Sequence, residues 1–252
     1  MKKVFAKPKS RTHAIHGQNG HLINSWTDRN SGVLWLRDLL PGILKTNLNV
    51  NVRVLTYGYA ALEPVKIIGT RLMKSIAELR NRTNSEGREI IWCAHSFGGP
   101  LLQAAIGLGS PSRDIQTSTN AFLFFGVAKN MGLESLGTVL ALPEATLSDE
   151  MRELRKGILW LKMGSEAFEK LREHLGWKLA WFKEVKDKEG DIRVLGVVDE
   201  AGEKGWDRDG KGDMVVRLGK THDAMIRFAS AEDDDFKPVM KMAWTVFEGA
   251  AS

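Results

Sequence analysis

The sequence predicts an α/β fold, in which a mostly parallel sheet carries helices on both of its faces. One observation is that strand-like segments alternate with segments of helical periodicity along nearly all of the 252 residues. A second is the continuous apolar run at residues 120–128, which is typical of a strand buried on both faces of a parallel sheet. A third is residues 89–99, where an apolar strand pattern leads through a tight turn into an apolar helix pattern.

The individual elements follow from residue type and spacing. Segments rich in β-branched, aromatic or other apolar residues are predicted as strands: 12–16, 51–57, 90–94, 120–128, 178–184 and 192–198. Helical spacing of apolar residues predicts helices at 32–44, 67–81, 100–106, in most of 131–178, at 221–228 and at 236–247. Pro41 is expected to end or kink the first helix, and Ser148 to begin a later one. Polar and glycine-containing stretches predict loops at 107–118 and 201–212.

Composition narrows the class of protein. With 43% hydrophobic and 27% charged residues, the chain is expected to form one globular domain over residues 1–252, because no repeat or linker divides it. The single cysteine, Cys93, excludes an intrachain disulfide and is expected to be a buried apolar residue. No apolar run is long enough for a membrane span and the start lacks a signal-peptide core, so an intracellular, cytoplasmic protein is expected.

The charge pattern argues against a nucleic-acid partner. The net charge is +5, but the basic residues are interleaved with acids and form no basic arm. An anionic membrane surface remains a possible partner.

The histidines show no paired spacing with an acid between them, and the glycines fit neither phosphate-binding motif, so no metal and no cofactor are expected.

Ser96 stands at the tight turn of residues 89–99. A nucleophilic serine on such a turn needs small residues two positions away, and here they are Ala94 and Gly98. The backbone N–H of Phe97 can then help to hold an oxyanion. Ala94 departs from the usual glycine, and an ordinary buried strand–turn–helix is the alternative interpretation.

Other reactive side chains also lie at predicted strand ends. Gln18, Ser96, Glu184 and His222 each follow or end a predicted strand. Because ligands bind at the carboxyl ends of the strands in open parallel sheets, we expect these residues at one edge of the sheet.

Several motifs then reveal a resemblance that covers nearly the whole chain, in order. They are residues 16–21 (HGQNGH), 25–27 (SWT), 35–41 (WLRDLLP), 55–59 (LTYGY), 95–99 (HSFGG), 182–184 (FKE) and 222–228 (HDAMIRF). On these motifs the chain resembles the α/β-hydrolase fold and, within it, a lipase-like serine-esterase group common in fungi. Two departures from that group are residues 126–129, where the group has Gly-Thr-Pro-His, and Gln18, which replaces an apolar residue.

The resemblance implies roles for particular residues. Ser96 would be the nucleophile, His222 the base and Glu184 the acid that orients it, while Asp199 is the alternative acid. The backbone N–H groups of Gln18 and Phe97 would form the oxyanion hole. His16 and His95 are expected to shape their loops by hydrogen bonding. Residues 131–177 would form a helical lid whose apolar residues either line an acyl pocket or simply pack, and Trp160, Trp177 and Trp181 are candidates for either role.

These expectations describe a serine hydrolase that cleaves a small-molecule carboxylic ester, thioester or lactone through an acyl-enzyme. The first alternative is a non-hydrolytic protein of the same fold, either a lyase- or cyclase-type catalyst or a degenerate binding module. The second is a peripheral lipase or acyltransferase. The intact Ser96 and His222 argue against a degenerate module.

Overall fold

A computed structural model describes residues 10–60, 62–108, 113–127, 140, 142–184 and 213–248. Within these ranges the chain forms β1 (Ser10–Ile15), β2 (Val52–Tyr57), β3 (Glu89–His95), β4 (Thr119–Phe125), β5 (Lys178–Glu184) and β6 (Met214–Leu218). They make one sheet in the order β2-β1-β3-β4-β5-β6, and every neighbouring pair is parallel. The carboxyl ends of all these strands therefore lie at one edge.

Helices cover both faces of the sheet. They are α1 (Trp35–Asp38), α2 (Leu40–Leu48), α3 (Val65–Arg82), α4 (Gly98–Leu108), α5 (Arg113–Ser118), α6 (Asp149–Leu175) and α7 (Phe236–Glu248). The core cluster on one face contains residues of α1, α2 and α7, and the cluster on the other contains residues of α3 to α6. The predicted fold class, a parallel sheet between two helical layers, is confirmed.

The sequence of β4 is continuously apolar from Ala121 to Phe125 because both faces of this strand are buried. Leu123 and Phe125 belong to one core cluster, whereas Phe122 and Phe124 belong to the other. Successive side chains of a strand point to opposite faces, so a strand covered on both sides needs apolar residues at every position.

Two predicted elements differ from the structure because tertiary contacts decide them. Residues 113–118 form α5 instead of continuing the predicted loop. The reason is Asp114, whose carboxylate accepts hydrogen bonds from Nε (2.6 Å) and Nη2 (3.1 Å) of the buried Arg80. β6 was not predicted at all, and the predicted strand at 192–198 lies outside the described residues.

The predicted helix at 32–44 is two helices, α1 and α2, that meet at Leu39. Pro41 lies in the first turn of α2, where its missing N–H costs nothing, so it begins a helix instead of ending one. The predicted helix at 221–228 was also wrong, because residues 222–226 form turns. Ser148 does cap α6, and its side chain accepts a hydrogen bond from the Met151 N–H (3.3 Å).

α6 packs tightly along α4 through two glycines. A Cβ on Gly164 would lie 2.3 Å from the Cα of Ala104, and one on Gly107 would lie 2.2 Å from the Gly164 carbonyl oxygen. Trp177 and Trp181 are buried in the core, and Trp160 packs against Gly69 of α3. These contacts favour the packing interpretation of the tryptophans, while a lid at 131–177 stays a prediction, since residues 131–139 and 141 lie outside the described ranges.

Two further observations concern the described residues alone. Cys93 is buried, as predicted, and burial raises the pKa of its thiol to about 12. None of the described helices combines the length and the apolar character that crossing a bilayer requires.

Candidate active site

Ser96 occupies a strained position directly after β3. Its backbone φ is +50°, in the left-handed region that residues other than glycine rarely adopt. The Ser96 N–H donates to the Phe125 carbonyl at the end of β4 (2.9 Å), and the Ser96 carbonyl accepts from the Gly99 N–H (3.0 Å). The chain therefore leaves the sheet at Ser96 and enters α4 within one tight turn.

Glycines allow the loop after β1 to approach this turn. A Cβ on Gly98 would lie 2.6 Å from the His16 carbonyl oxygen and 2.8 Å from that of Ile15, and one on Gly17 would lie 2.9 Å from the Ser96 Cβ. Ala94, the departure from the usual glycine, is fully buried in the core, so its methyl group has space. The turn and the Gly17 loop thus form one packed unit.

Replacing Gly98 by alanine is expected to lower the free energy of unfolding by about 1–3 kcal/mol, because the new methyl group meets fixed backbone oxygens. Gly42→Ala in α2 is the matched control, since a Cβ there meets nothing within 4 Å. Urea unfolding of the two variants measures the difference. Equal stability of both would show that the close approach at Gly98 does not constrain the turn.

His222 and Glu184 lie together at the same edge of the sheet. The His222 Nδ1 is 3.7 Å from the Glu184 Oε2, which is longer than a hydrogen bond but within reach of an ion pair. Both side chains are partly exposed, at 41% and 34%. Of the two candidate acids, Glu184 therefore faces the histidine, whereas Asp199 lies outside the described residues.

The His222 ring also lies next to the end of β4. Gly126 has a φ of +59°, and a Cβ there would lie 2.8 Å from both Cε1 and Nδ1 of His222. Gly126 follows Phe125, whose carbonyl holds the Ser96 N–H. The structure thus brings the Ser96 turn and the His222 loop to neighbouring strand ends, although in the part of the chain that it describes no hydrogen bond joins the Ser96 hydroxyl to the imidazole.

His95 connects these two loops. Burial lowers the pKa of His95 to about 4, so its ring is uncharged at pH 7, and its Nε2–H donates to the His222 carbonyl (2.9 Å). The two imidazole rings lie 4.9 Å apart. At the other end of the loop, the indole N–H of Trp35 donates to the Ile226 carbonyl (2.9 Å), so residues 222–226 are anchored on both sides.

His16 holds the loop that contains Gln18. Its Nδ1–H donates to the Gly17 carbonyl (2.7 Å), its ring stacks on Tyr59 at 4.5 Å, and the Tyr59 hydroxyl donates to the His16 carbonyl (2.9 Å). Burial lowers the pKa of His16, which keeps the ring neutral. Both His16 and His95 thus make the loop-shaping hydrogen bonds that were expected of them.

The two proposed oxyanion donors lie on either side of the Ser96 turn. Gln18 is in the exposed loop that Gly17 anchors against Ser96, and Phe97 follows Ser96 directly. Among the described residues, neither the Gln18 N–H nor the Phe97 N–H donates a hydrogen bond to another group. Both donors are therefore available to a bound ligand.

A polar cleft of about 700 Å³ adjoins the site. Its wall includes His95, the 17–21 loop, the 24–32 loop and the turn after His222. The charged side chains that line it are those of Asp28, Arg29, Asp223 and Arg227. The sequence pattern assigned none of these four a role, and the signal present was that Asp223 and Arg227 fall within the 222–228 motif.

The described ranges contain no group of three or more histidine, cysteine, aspartate or glutamate side chains placed to hold a metal ion.

No protein-family model matches the chain, and no curated protein matches it. Among solved structures, the phospholipase PlaB from Legionella pneumophila is similar over 70% of this chain and 39% of its own, with 15% identity and a TM-score of 0.46. The similarity to human thioesterase 2 (9% identity, TM-score 0.43) extends over 96% of this chain and 98% of that protein. For the mature lipase BlEst2 from Bacillus licheniformis (14% identity, TM-score 0.43), the shares are 96% and 94%.

The chain thus spans about two fifths of the phospholipase, and at such low similarity none of these likenesses extends to function. The fold is evident from the chain's own structure. A parallel sheet between two helical layers, with a serine on the strained turn between a central strand and its helix, is the arrangement of the α/β-hydrolase fold.

Proposed function

We propose that the chain is a serine hydrolase that cleaves a carboxylic ester, a thioester or a lactone through an acyl-enzyme on Ser96. The observation that carries this proposal is the left-handed backbone of Ser96 at the turn from β3 into α4. Such a conformation costs about 1–3 kcal/mol in a residue other than glycine, and strain of this kind is concentrated at functional sites. A serine that must present its hydroxyl above the sheet from a tight turn gives this strain a chemical reason.

The pairing of His222 with Glu184 supports the same chemistry. A serine hydroxyl is a weak nucleophile at neutral pH and needs a base to take its proton. In the proposed reaction the Ser96 Oγ bonds to the carbonyl carbon, and His222 takes the hydroxyl proton and gives it to the leaving group. Glu184, 3.7 Å from the His222 Nδ1, stabilises the imidazolium that forms in between.

The negative charge that develops on the carbonyl oxygen also needs donors. The Gln18 and Phe97 N–H groups are free among the described residues and flank Ser96, so we assign the oxyanion hole to them. Water then attacks the acyl-enzyme with His222 as base, which releases the acid and restores the Ser96 hydroxyl.

A fluorophosphonate probe tests this proposal. The Ser96 Oγ would attack phosphorus and expel fluoride, leaving a stable phosphonylated serine. We expect labelling of the wild type and none of Ser96→Ala. Ser75→Ala is the matched control, because Ser75 is exposed on α3, and this variant should label like the wild type.

The result also separates the enzyme from a degenerate binding module of the same fold. If the folded wild-type protein is not labelled, Ser96 is not an activated nucleophile and the non-hydrolytic alternative is favoured. Far-UV circular dichroism and a cooperative unfolding transition establish that the sample is folded.

A further inference from the structure

The polar cleft beside Ser96 is lined by two arginines, Arg29 and Arg227. We propose that this cleft binds a carboxylate or phosphate group of the substrate, and that Arg227 is the residue that recognises it. The inference rests on the proposed hydrolase function and adds the chemical class of its substrate, an acyl compound that carries an anionic group.

The position of the cleft suits a substrate-binding role. His95 and Gly17 both line it, His95 precedes Ser96, and Gly17 approaches the Ser96 Cβ. At about 700 Å³ it is within the usual size range of small-molecule sites. A substrate whose carbonyl carbon lies at Ser96 can therefore extend a polar end into this space.

The state of Arg227 indicates what that polar end would be. The side chain is half-buried, and its Nε is fully buried without a hydrogen-bond partner. Among the described residues, no carboxylate lies within ion-pair distance of its guanidinium. Because this Nε has no accessible surface, a ligand in the cleft would pair with the terminal nitrogens of the guanidinium, where an anionic group could serve as the missing partner of the charge.

The charges around Arg227 are of both signs. Burial is the main reason that its pKa is lowered, and the next reason is repulsion by Arg29, whereas Asp223 and Asp28 raise the pKa. Arg227 therefore has a second cation as well as two carboxylates as neighbours in the cleft.

Neither aspartate of the cleft forms an ion pair with Arg227 in the described part of the chain. The Asp28 Oδ1 accepts the N–H groups of Asn30 (3.1 Å) and Ser31 (2.8 Å) and the Ser31 hydroxyl (2.9 Å), so this carboxylate is engaged within its own loop. Asp223 is exposed at the rim. A third cation, Lys220, is not one of the lining residues. Its Nζ donates hydrogen bonds to the Arg227 carbonyl (2.8 Å) and to the Asp233 carboxylate.

A guanidinium presents a planar fork of N–H donors that fits two oxygens of a carboxylate or phosphate. The anionic group could belong to the acyl part or to the leaving group, and matched substrate pairs distinguish the two. The first pair is the 4-nitrophenyl ester of glutaric acid and the same ester with its free carboxyl methylated. The second pair is S-acetyl-pantetheine phosphate and S-acetyl-pantetheine.

In one of these pairs we expect the anionic member to have a kcat/KM roughly 10- to 100-fold above that of its neutral partner, the range that one charge-assisted hydrogen bond supplies. Arg227→Gln should remove this preference by lowering kcat/KM for the anionic member far more than for its neutral partner, and Arg227→Lys should keep part of the preference. Arg53→Gln is the matched control, because Arg53 is exposed near the amino end of β2, away from the cleft. No preference in either pair, or equal losses for charged and neutral substrates in Arg227→Gln, would overturn the proposal.

A binding measurement separates failure of this proposal from failure of the proposed function. The Ser96→Ala variant is titrated calorimetrically with glutarate and with inorganic phosphate, alone and combined with Arg227→Gln. We expect one of the two anions to bind, and its affinity to fall at least tenfold when Arg227 is replaced. If neither anion binds, the anion site is refuted even where the wild type is labelled by a fluorophosphonate. If binding is seen without labelling, the site stands and the hydrolase does not.

Discussion

Replacing His222 by alanine is expected to lower kcat for an activated ester by roughly 10⁴- to 10⁶-fold, the range seen when the base of a serine triad is removed. The physical reason is that the Ser96 hydroxyl would have no group to accept its proton as the bond to the carbonyl carbon forms. The His222 side chain is 41% exposed, so its loss should change the free energy of unfolding little.

His174→Ala is the control for this experiment, because that histidine is exposed near the end of α6 and should be silent. Ester hydrolysis under saturating substrate and the rate of fluorophosphonate labelling are measured for both variants. A loss of less than about tenfold in His222→Ala would mean that another group activates Ser96, since one base contributes far more than this in such sites.

Replacing Glu184 by glutamine is expected to lower kcat by roughly 10²- to 10⁴-fold. The amide has nearly the shape of the carboxylate but no charge, so it cannot stabilise the His222 imidazolium, and it no longer favours the tautomer with a proton on Nδ1. The observed 3.7 Å separation has to shorten by less than 1 Å for a hydrogen bond to form.

Two parallel variants decide which acid acts. Glu173→Gln removes an exposed carboxylate of α6 and should leave the rate unchanged. Asp199→Asn, assayed under the same conditions, tests the alternative acid. If Asp199→Asn loses activity while Glu184→Gln retains it, the assignment of Glu184 is wrong.

The parts of the fold that sequence predicts well are those that short-range patterns determine. β4 is continuously apolar from Ala121 to Phe125 because both its faces are buried, and α3 shows clear helical spacing. α5 could not be predicted from its polar composition, because it depends on the pairing of Asp114 with Arg80, 34 residues away in the chain. The turns after His222 similarly depend on the distant Trp35.

The candidate site likewise has parts that the sequence predicts and a part that it does not. The strain at Ser96 follows from a local pattern of small residues, so the sequence indicates the turn directly. That Glu184 faces His222 follows from parallel strands ending at one edge. That Arg29 and Arg227 line the same cleft could not be predicted, since nothing in the spacing of two residues 198 positions apart shows that they share a cavity.

A crystal structure of the protein after reaction with a fluorophosphonate tests the central claim, the activation of Ser96 at this edge of the sheet, most directly. We expect a covalent bond from phosphorus to the Ser96 Oγ, with the phosphonyl oxygen within hydrogen-bond distance of the Gln18 and Phe97 N–H groups and the His222 ring beside the Ser96 Oγ. An adduct on a different side chain, or a phosphonylated Ser96 whose oxygen contacts neither N–H group and whose Oγ lies far from His222, would contradict it.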